Sequence, residues 1–486
     1  MDIGTQSLKA VVTDDDLAPL GSAATAYRPD YPRPGWAEQH PRLWEAALGP
    51  AIEGALRAAG TAPGAVRALG VAGQLDGCLA VDAAGRALGA CLIWMDRRAE
   101  TESQAVDAVA LRRLAGVTRD ATHMAAKIAW LKRHPPDGEP AARYHQPVSY
   151  LVARLTGAQV FDHGPASTTM LYGLARRGYE PELLDGFGIA TEELPEIAEA
   201  GACAGALTAE GAALAGLPEG VPVAVGTGDD FSTPLGAGLA PGRAVCVLGT
   251  AEVVGARDPE PRIDARGLVE THSYAGGGFY IENPGWLSGG ALAWLRALLC
   301  IADFTAFDRL AAETGPGAAG VIFLPALSGA MAPEWIASAR GCFYGLTPAH
   351  GAGQLARAVL EGCAFAMRDV VERLIALGVT VEDLLLLGGG ARSRVWAQIR
   401  ADCTGLPVQR PALTDTSPLG AAICAAVAGG LHSDIPSCAA RLGGEVETVA
   451  PDPAARAAYD DAYGAYALLF DSLRPMFERA APGPAP

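Results

Sequence analysis

Residues 2–12 read DIGTQSLKAVV, and residues 247–254 read VLGTAEVV. Both stretches place a glycine-threonine pair in a tight turn that is followed by a run rich in β-branched residues. About half of the chain separates the two pairs. A turn that recurs at this spacing predicts two halves that are built on one plan.

We place the boundary between the halves near residue 240, in the glycine- and proline-rich stretch PLGAGLAPGR. The predicted domains are therefore residues 1–240 and residues 241–479. The tail AAPGPAP at residues 480–486 is predicted to be disordered, because it consists of alanine, glycine and proline alone.

Short apolar runs that end in glycine alternate with helical stretches along both halves. The runs are ALGVAG (68–73), VPVAVG (221–226) and LLLLGG (384–389). Helical stretches such as PRLWEAALGPAIEGALRAAG lie near them in the sequence. This alternation predicts α/β domains whose ligands bind at the carboxyl ends of the strands.

The composition excludes several kinds of partner. The 486 residues carry a formal net charge of −17, which argues against nucleic acid and against an anionic membrane surface. The start MDIGTQS is no signal peptide, and no apolar run approaches ~18 residues. The 10 cysteines form no CxxC pair, so we interpret them as small core residues in a reducing compartment. We therefore expect a cytoplasmic protein without nucleic-acid or membrane partners.

The first glycine-threonine turn is suited to phosphate. Gly4 lets the backbone approach a phosphate group, while Thr5 and Ser7 offer hydroxyl donors. Asp2 is placed to hold a hydrated Mg²⁺ ion nearby. A plain β-hairpin explains a single turn of this kind at least as well. The second copy, at Gly249-Thr250, favours the phosphate site.

A glycine turn opens the stretch GGGARSRVWAQIRADCTG (388–405), between an apolar strand and a helix. Such a turn suits an adenine or ribose that lies across bare backbone, with free helix amides nearby. A strand-to-helix connection that needs positive φ is the alternative, since three glycines alone are not specific.

Two aspartates end the stretch GTGDD (226–230), which follows the run VPVAV. A carboxylate at the carboxyl end of a central strand can accept a hydroxyl proton. A helix-capping or turn aspartate is the alternative. Because neighbouring side chains point in opposite directions on an extended backbone, we expect at most one of Asp229 and Asp230 to be the base.

These motifs belong to a longer ordered set, which comprises DIGTQSLKAVV, PGWAEQHP (34–41), GVAGQLDG (70–77), IWMDRR (93–98), RLTG (154–157), GTGDD, VLGTAEV, FLPALSG (323–329), ARGCFYGLTPAH (339–350), GGGARSRVWAQIRADCTGLPV and LGAAICAA. The set resembles the FGGY family of carbohydrate kinases, and within that family the xylulokinases most. The resemblance runs from Asp2 to about Gly430. It implies an α/β fold with two ribonuclease-H-like domains of the actin/hexokinase/Hsp70 ATPase superfamily and a cleft between them.

The resemblance also implies residue roles. Asp229 matches the catalytic base, and Asp2 matches the aspartate beside Mg²⁺ and the ATP phosphates. The positions implied to contact the sugar are Gln74, Leu75, Asp76 and Asp230. The positions implied to bind ATP, in the two phosphate turns and at the adenosine, are Thr5, Gln6, Ser7, Gly249, Thr250, Gly289, Gly389, Gly390 and Ala391.

The implied activity is phosphorylation of a small sugar or polyol by ATP, with conversion of D-xylulose to D-xylulose 5-phosphate expected. Another acceptor stays open, namely an L-ketopentose, erythritol, glycerol, ribulose or gluconate. A non-catalytic protein that binds nucleotide and sugar for signalling is the alternative from another class, although a sugar-facing base argues against it. The resemblance also implies that the protein can form a homodimer.

The chain departs from the family pattern at three places. Leu75-Asp76 stands where xylulokinases usually carry Met-His, and an ionised aspartate only accepts hydrogen bonds, whereas histidine can donate one. Ala330-Met331 stands where the family has a Glu-Arg pair. Only Met1 precedes Asp2, so we expect the natural start to lie upstream or this chain to be truncated.

Other polar residues are expected to serve the structure. Lys127 is expected on an exposed helix face, with a position facing the cleft as the alternative. The scaffold of the sugar side is expected to include Trp94, Asp96 and Arg98. The histidines without a partner at a suitable spacing, which we interpret as structural or surface residues, are His123, His272 and His350.

Overall fold

The computed structural model describes residues 1–442 and 444–479, so the predicted disordered tail at 480–486 lies outside the described residues. The chain folds into two halves, and each half is organised around one mixed β-sheet with helices packed against it.

The strands of the N-terminal half are β1 Asp2–Ile3, β2 Ser7–Thr13, β3 Pro19–Ala26, β4 Glu38–Gln39, β5 Ala72–Gly73, β6 Leu79–Val81, β7 Cys91–Leu92, β8 Arg143–His145, β9 Val160–Asp162, β10 Tyr172–Gly173, β11 Gly178–Tyr179, β12 Glu196–Ala198, β13 Cys203–Ala206, β14 Pro222–Ala224 and β15 Thr227–Gly228. Its helices are α1 Arg42–Ala59, α2 Ala108–Ala115, α3 Met124–Arg133, α4 Pro147–Thr156, α5 His163–Ser167, α6 Pro181–Phe187, α7 Ala209–Ala215 and α8 Asp229–Gly236.

The strands of the C-terminal half are β16 Gly242–Leu248, β17 Ala251–Asp258, β18 Glu270–Ser273, β19 Phe279–Leu287, β20 Ile322–Leu324, β21 Cys342–Tyr344, β22 Val381–Leu387, β23 Val408–Pro411 and β24 Val446–Val449. Its helices are α9 Gly289–Leu298, α10 Phe304–Ala312, α11 Ala352–Ala376, α12 Arg394–Thr404, α13 Ser417–Ala428, α14 Ile435–Ala439 and α15 Arg456–Arg479. Within the two described ranges, no helix is both long enough and apolar enough to cross a membrane.

The main sheets of the two halves repeat one strand order. In the N-terminal sheet β3, β2 and β1 are antiparallel neighbours, and β5 and β15 continue the sheet parallel to β1. In the C-terminal sheet β19, β17 and β16 form the antiparallel part, and β22 and β23 continue it parallel to β16. Strands β18 and β24 extend its edges. The prediction of two halves on one plan is confirmed.

Both glycine-threonine pairs occupy the equivalent turn of their sheets. Gly4-Thr5 lies between β1 and β2, and Gly249-Thr250 lies between β16 and β17. In each case the turn joins the first two antiparallel strands. The recurrence seen in the sequence is therefore a structural repeat.

Two of the three apolar runs form shorter strands than the sequence predicts, whereas the third ends the longer strand β22. Of residues 68–73, only Ala72–Gly73 is a strand, and the run VPVAVG ends at Gly226. Gly226 has a φ of +76°, and a Cβ at this position would overlap the carbonyl oxygen of Val71. Only glycine fits such a backbone. The break lets β14 pair with β13 while β15 joins the central sheet.

Apolar side chains fill each half and also join the two halves. Trp44 and Leu48 of α1 lie in the N-terminal core, and Phe365 and Trp396 lie in the C-terminal core. The buried cluster that contains residues of both halves includes Leu75, Phe231, Leu235, Val245, Leu387 and Ile423. Helix α8 packs on α13 so closely that a Cβ at Gly236 would overlap the carbonyl oxygen of Thr416. The segments beside the cleft are therefore tied to a common core.

A completely buried ion pair stabilises the second glycine-threonine turn. Arg400 of α12 donates from Nη2 to Glu252 Oε2 of β17 at 2.7 Å, and both side chains are fully buried. The hydroxyl of Ser288 donates to the same carboxylate at 2.7 Å. Glu252 follows Thr250 in β17 and Ser288 precedes Gly289, so this network holds the turn from two sides.

We expect Glu252→Gln to lower the free energy of unfolding by about 3–5 kcal/mol, because Arg400 then keeps its charge in the core without a carboxylate partner. Urea denaturation measures the loss. Glu53→Gln is the matched control, since its ion pair with Arg57 is exposed on α1; a change below about 1 kcal/mol is expected there. Equal losses in the two variants would contradict the prediction.

Candidate active site

Three predicted segments leave the N-terminal sheet at one edge. Strands β1, β5 and β15 are parallel, and Ile3, Gly73 and Gly228 lie side by side in the pairing register. The residues that follow them are the phosphate turn, the Gln74-Leu75-Asp76 segment and Asp229. Because parallel strands end at a common edge, the predicted base, sugar-binding and phosphate-binding residues come together there.

The first turn is pinned by contacts on both sides. The Gly4 amide donates to the carbonyl oxygen of Ser7 at 3.0 Å, which closes the turn. The hydroxyl of Thr5 accepts a hydrogen bond from Nε1 of Trp94 at 3.0 Å, and Trp94 is 41% exposed. The side chain of Gln6, between Thr5 and Ser7 in the turn, is exposed. Trp94 therefore contacts the phosphate turn directly, beyond the scaffold role expected from the sequence.

Gln74 and Leu75 lie beneath the site. Gln74 Nε2 donates to Gln39 Oε1 at 2.7 Å, and Gln39 Nε2 donates to the carbonyl oxygen of Thr5 at 2.6 Å. The side chain of Leu75 is 7% exposed and packs against Gly228, where a Cβ would overlap it. Two predicted sugar-binding residues thus brace the backbone around the site in this conformation.

Asp76 is held by three side chains of its own half. Its Oδ1 accepts the hydroxyl of Thr168 at 2.8 Å, and Nδ1 of His123 lies 3.2 Å from its Oδ2. Its carbonyl oxygen accepts Nζ of Lys127 at 2.7 Å. Asp76 has a φ of +54°, an uncommon backbone state for a residue with a side chain. These contacts hold the segment in that state.

The expected position of Lys127, on an exposed helix face, is wrong. Lys127 is fully buried, because its ammonium group donates to two backbone carbonyls, those of Asp76 and Ile93. Burial lowers its pKa, against the pull of the nearby carboxylates. His123 is 4% exposed and has acidic partners. Neither position could be found from spacing, since Asp76 and His123 lie far apart in the chain.

Asp229 and Asp230 form the first turn of α8. The expectation that they point in opposite directions on an extended backbone is therefore wrong, and the Asp230 amide donates to Oδ1 of Asp229 at 3.2 Å. Burial raises the pKa of Asp229 well above its usual range, and the charges of Asp230 and Asp2 add to this. Burial, followed by the charges of Asp76 and Asp2, raises the pKa of Asp230 to about 6.

A buried hydrogen bond positions the start of this helix. The hydroxyl of Thr227 donates to Oδ2 of Asp162 at 2.7 Å, just before Gly228 and Asp229. Burial raises the pKa of Asp162 to about 7, although the Thr227 hydroxyl opposes this rise. The carboxyl group of β9 thus anchors β15, and through it the position of Asp229.

The second turn is packed against the start of α9. The amides of Ser288 and Gly290 donate to the carbonyl oxygen of Thr250 at 3.2 Å and 3.0 Å. A Cβ at Gly289 would overlap the carbonyl oxygen of Gly249. The family resemblance assigns three residues here to ATP. They lie against one another, with the turn at Gly249 and Thr250 packed on Gly289.

The glycine turn at the end of β22 lies beside that contact. Gly388 has a φ of +77°, and a Cβ on Gly390 would lie 2.8 Å from the Cβ of Leu248. No atom of the described residues lies within 4 Å of a Cβ built on Gly389, so its surface is open. Ala391 is buried under the turn. The open glycine offers a flat backbone surface of the kind that suits an adenosine.

A loop of the C-terminal half connects the two clusters of candidate residues. The carbonyl at the start of loop 414–417 accepts the first amide of the glycine turn at 2.9 Å. Asp415 in this loop accepts Nζ of Lys9 at 2.7 Å, and Ser417 accepts the hydroxyl of Ser232 in α8 at 2.7 Å. The loop therefore joins the glycine turn to β2 and to the helix that begins at Asp229.

Asp2 fits the binding of a hydrated cation. Its side chain is 6% exposed, and among the described residues no donor reaches its Oδ1. Burial raises its pKa, while the nearby Lys9 opposes the rise. In the part of the chain that the structure describes, no group of three or more acidic, histidine or cysteine side chains could hold a metal alone. Mg²⁺ commonly binds one or two carboxylates together with nucleotide phosphates, so Asp2 alone suffices on the protein side.

Comparison with known proteins matches both halves to one family. Residues 1–236 match the N-terminal domain of the FGGY family of carbohydrate kinases, and residues 244–429 match its C-terminal domain. The division at residue 240 stays a prediction.

Individual relatives match most of the chain. A glycerol kinase from Gloeobacter violaceus is 34% identical over 448 residues, which cover 89% of this chain and 88% of that protein. A xylulose kinase from Escherichia coli is 29% identical over 484 residues, which cover 98% and 99%. The solved xylulose kinase from Rhodospirillum rubrum is 31% identical, has a TM-score of 0.88, and matches 98% of this chain and 99% of its own. The matches confirm the predicted two-domain, ribonuclease-H-like fold.

We expect Thr227→Val to lower the free energy of unfolding by about 1–2 kcal/mol above pH 7, because ionised Asp162 loses a donor. Since the folded pKa of Asp162 is raised to about 7, the group is protonated at lower pH. The native state therefore binds the extra proton between the unfolded and folded pKa values, and stability falls as pH rises through that window. The loss in the variant should be smaller at about pH 5.5 than at about pH 8.5.

Urea denaturation at the two pH values measures the difference. Thr448→Val is the control, since the hydroxyl of Thr448 bonds to Gln409 at an exposed position. A Thr227→Val loss that is independent of pH, or no larger than that of the control, would contradict the role given to Asp162.

Proposed function

Because the chain belongs to the FGGY family of carbohydrate kinases, we propose that it transfers the γ-phosphoryl group of ATP to D-xylulose, giving D-xylulose 5-phosphate. The observation that carries the proposal is the common edge of β1, β5 and β15, where Asp229 lies beside a phosphate turn and Asp76. The family assignment does not support the non-catalytic alternative.

Asp229 is the proposed general base. Its carboxylate orients the acceptor hydroxyl and takes the proton from that oxygen as the new phosphate ester bond forms. Transition states of phosphoryl transfer are loose, so alignment contributes more than early proton removal. A raised pKa suits this task, because a more basic carboxylate holds the transferred proton better than an ordinary one.

The nucleotide is proposed to bind across both halves. The turns at Gly4–Ser7 and Gly249–Thr250 would hold the phosphates through backbone amides and hydroxyls, and Gly389 would lie under the adenosine. When bound, ATP supplies the phosphoryl group, and Mg²⁺ held near Asp2 would neutralise phosphate charge. Loop 414–417 connects these groups to α8, so a movement of one half relative to the other would be transmitted to Asp229.

The acceptor side is proposed to favour a neutral polyhydroxyl molecule. Asp76 and Asp230 accept hydrogen bonds from hydroxyl groups. This concentration of acidic groups would repel an acceptor that carries its own carboxylate, so gluconate is the least compatible acceptor among the alternatives.

D-xylulose is preferred to glycerol because the xylulose kinase from Escherichia coli matches this chain from end to end. Glycerol is the second candidate, because the glycerol kinase from Gloeobacter violaceus has the higher identity. The departure at Leu75-Asp76 bears on this choice through Asp76 alone, since Leu75 packs against Gly228.

An acceptor panel tests the substrate. We expect D-xylulose to give the highest kcat/KM in a coupled assay of ADP release, followed by glycerol. An L-ketopentose, ribulose and erythritol complete the panel of neutral acceptors. Gluconate is expected to be at least about 100-fold poorer, since a desolvated like-charge contact costs several kcal/mol. Preference for gluconate would overturn the electrostatic argument, and preference for glycerol would replace D-xylulose as the substrate.

We expect Asp229→Asn and Asp229→Ala to lower kcat by about 10²–10⁴-fold, because the general base is lost. The affinity for a non-hydrolysable ATP analogue, measured from the shift that it causes in thermal unfolding, should stay within about twofold of wild type.

Asp107→Asn is the matched control, since Asp107 caps α2 and asparagine caps equally well. Its kcat should not change. A large rise in the acceptor KM with kcat intact in the Asp229 variants would show that Asp229 binds the acceptor without acting as the base.

A further inference from the structure

We propose that His123 is a positioning residue that fixes the Asp76 carboxylate for the acceptor and ties it to the C-terminal half through Glu270. The inference rests on the proposed function, because it takes Asp76 to contact the acceptor. It adds a residue that no sequence motif pointed to.

The histidine ring lies between two carboxylates that come from different halves. His123 immediately precedes α3, and its Nδ1 lies 3.2 Å from Oδ2 of Asp76. Its Nε2 lies 3.8 Å from Oε1 of Glu270, the first residue of β18. Because the ring is almost completely buried, water cannot replace either carboxylate as its partner.

Of the three side chains that hold Asp76, only His123 lies beside its Oδ2 atom. Thr168 occupies Oδ1, and Lys127 occupies the backbone carbonyl. These two contacts fix the backbone and one oxygen, while the orientation of Oδ2 depends on His123. A carboxylate has about four acceptor positions, so Asp76 keeps capacity for acceptor hydroxyls after both contacts.

The charge of the imidazole matters as much as its position. Burial alone would lower the pKa of His123, but the Asp76 and Glu270 carboxylates together raise it well above its usual value. The charged ring therefore offsets part of the repulsion among Asp76, Glu270 and the neighbouring Asp230. A neutral side chain at this position would remove the cation beside Oδ2 and leave Lys127, on the backbone side, as the nearby positive charge, which favours rotation of the carboxylate away from its present orientation.

Glu270 connects the histidine to the second half. Its Oε1 also accepts the amide of Thr118 at 2.7 Å, and the next residue, Thr271, donates its amide to the carbonyl oxygen of Gly116 at 2.9 Å. These contacts cross from β18 to the segment before α3. His123 thus lies where the acceptor side meets the second half, and neither of its two partners is a residue assigned to ATP, so a change there should weaken acceptor binding and spare ATP.

Steady-state kinetics of His123→Leu and His123→Gln test the proposal, with D-xylulose as acceptor, or glycerol if the wild-type protein prefers it. Loss of a charged contact predicts a rise of about 10- to 100-fold in the acceptor KM for His123→Leu. The KM for ATP and kcat should stay within about threefold. Glutamine keeps a donor, so His123→Gln should recover part of the loss.

His145→Leu is the matched control, because His145 is equally buried in the same half and contacts Ser149 and Gln159. It should lower thermal stability without raising the acceptor KM. A rise of similar size in His145→Leu, or equal changes in the KM of ATP and acceptor in the His123 variants, would assign His123 a merely structural role and overturn the proposal.

A double-mutant cycle of Asp76→Asn and His123→Gln separates positioning from an independent contribution. If His123 acts through Asp76, the double variant raises the acceptor KM no more than the worse single variant. Effects that multiply would overturn the proposal. A wild-type protein that phosphorylates no acceptor would overturn the proposed function as well, whereas an active protein with silent His123 variants would overturn this inference alone.

Discussion

The parallel pairing of β1, β5 and β15 is the constraint on which the rest of the structure depends. These strands are only two residues long, yet their register places Ile3, Gly73 and Gly228 side by side. The chain must leave the sheet at each of these points, and it leaves in one direction. A slip of one residue would turn the side chains of a strand to the other face and separate the candidate base from the phosphate turn.

The second sheet repeats this arrangement for different groups. Its register places Val247 beside Leu387, so the turn at Gly249 and the glycine turn after β22 begin as neighbours. The halves are joined where these edges meet, through the shared apolar cluster and loop 414–417. One fold used twice therefore offers two glycine-threonine turns for the proposed phosphate site, while the carboxylates proposed to face the acceptor come mainly from the first half.

Sequence reasoning reached the features whose chemistry is local. A glycine with positive φ, a repeated Gly-Thr turn and an aspartate after a strand each carry their reason within a few residues. The structure brings them to the expected edges. Sequence reasoning was wrong for Lys127. Its helix pattern allows exposure, but its ammonium group is buried and donates to two backbone carbonyls. The contact between His123 and Glu270 joins distant segments, and nothing near either residue predicts it.

The difference between local and long-range contacts also changes the interpretation of Leu75-Asp76, where the chain departs from the family pattern. Read as a dipeptide, it suggests two altered contacts with the sugar, whereas the packing of Leu75 against Gly228 leaves Asp76 as the one of the two that we propose contacts the acceptor. The behaviour of Asp76 then depends on its surroundings: Thr168 directs one oxygen, His123 compensates its charge, and Glu270 brings in the other half. In the proposed site, acceptor choice therefore depends on this buried network, and the effect of a substitution at Asp76 would depend on the residue at position 123.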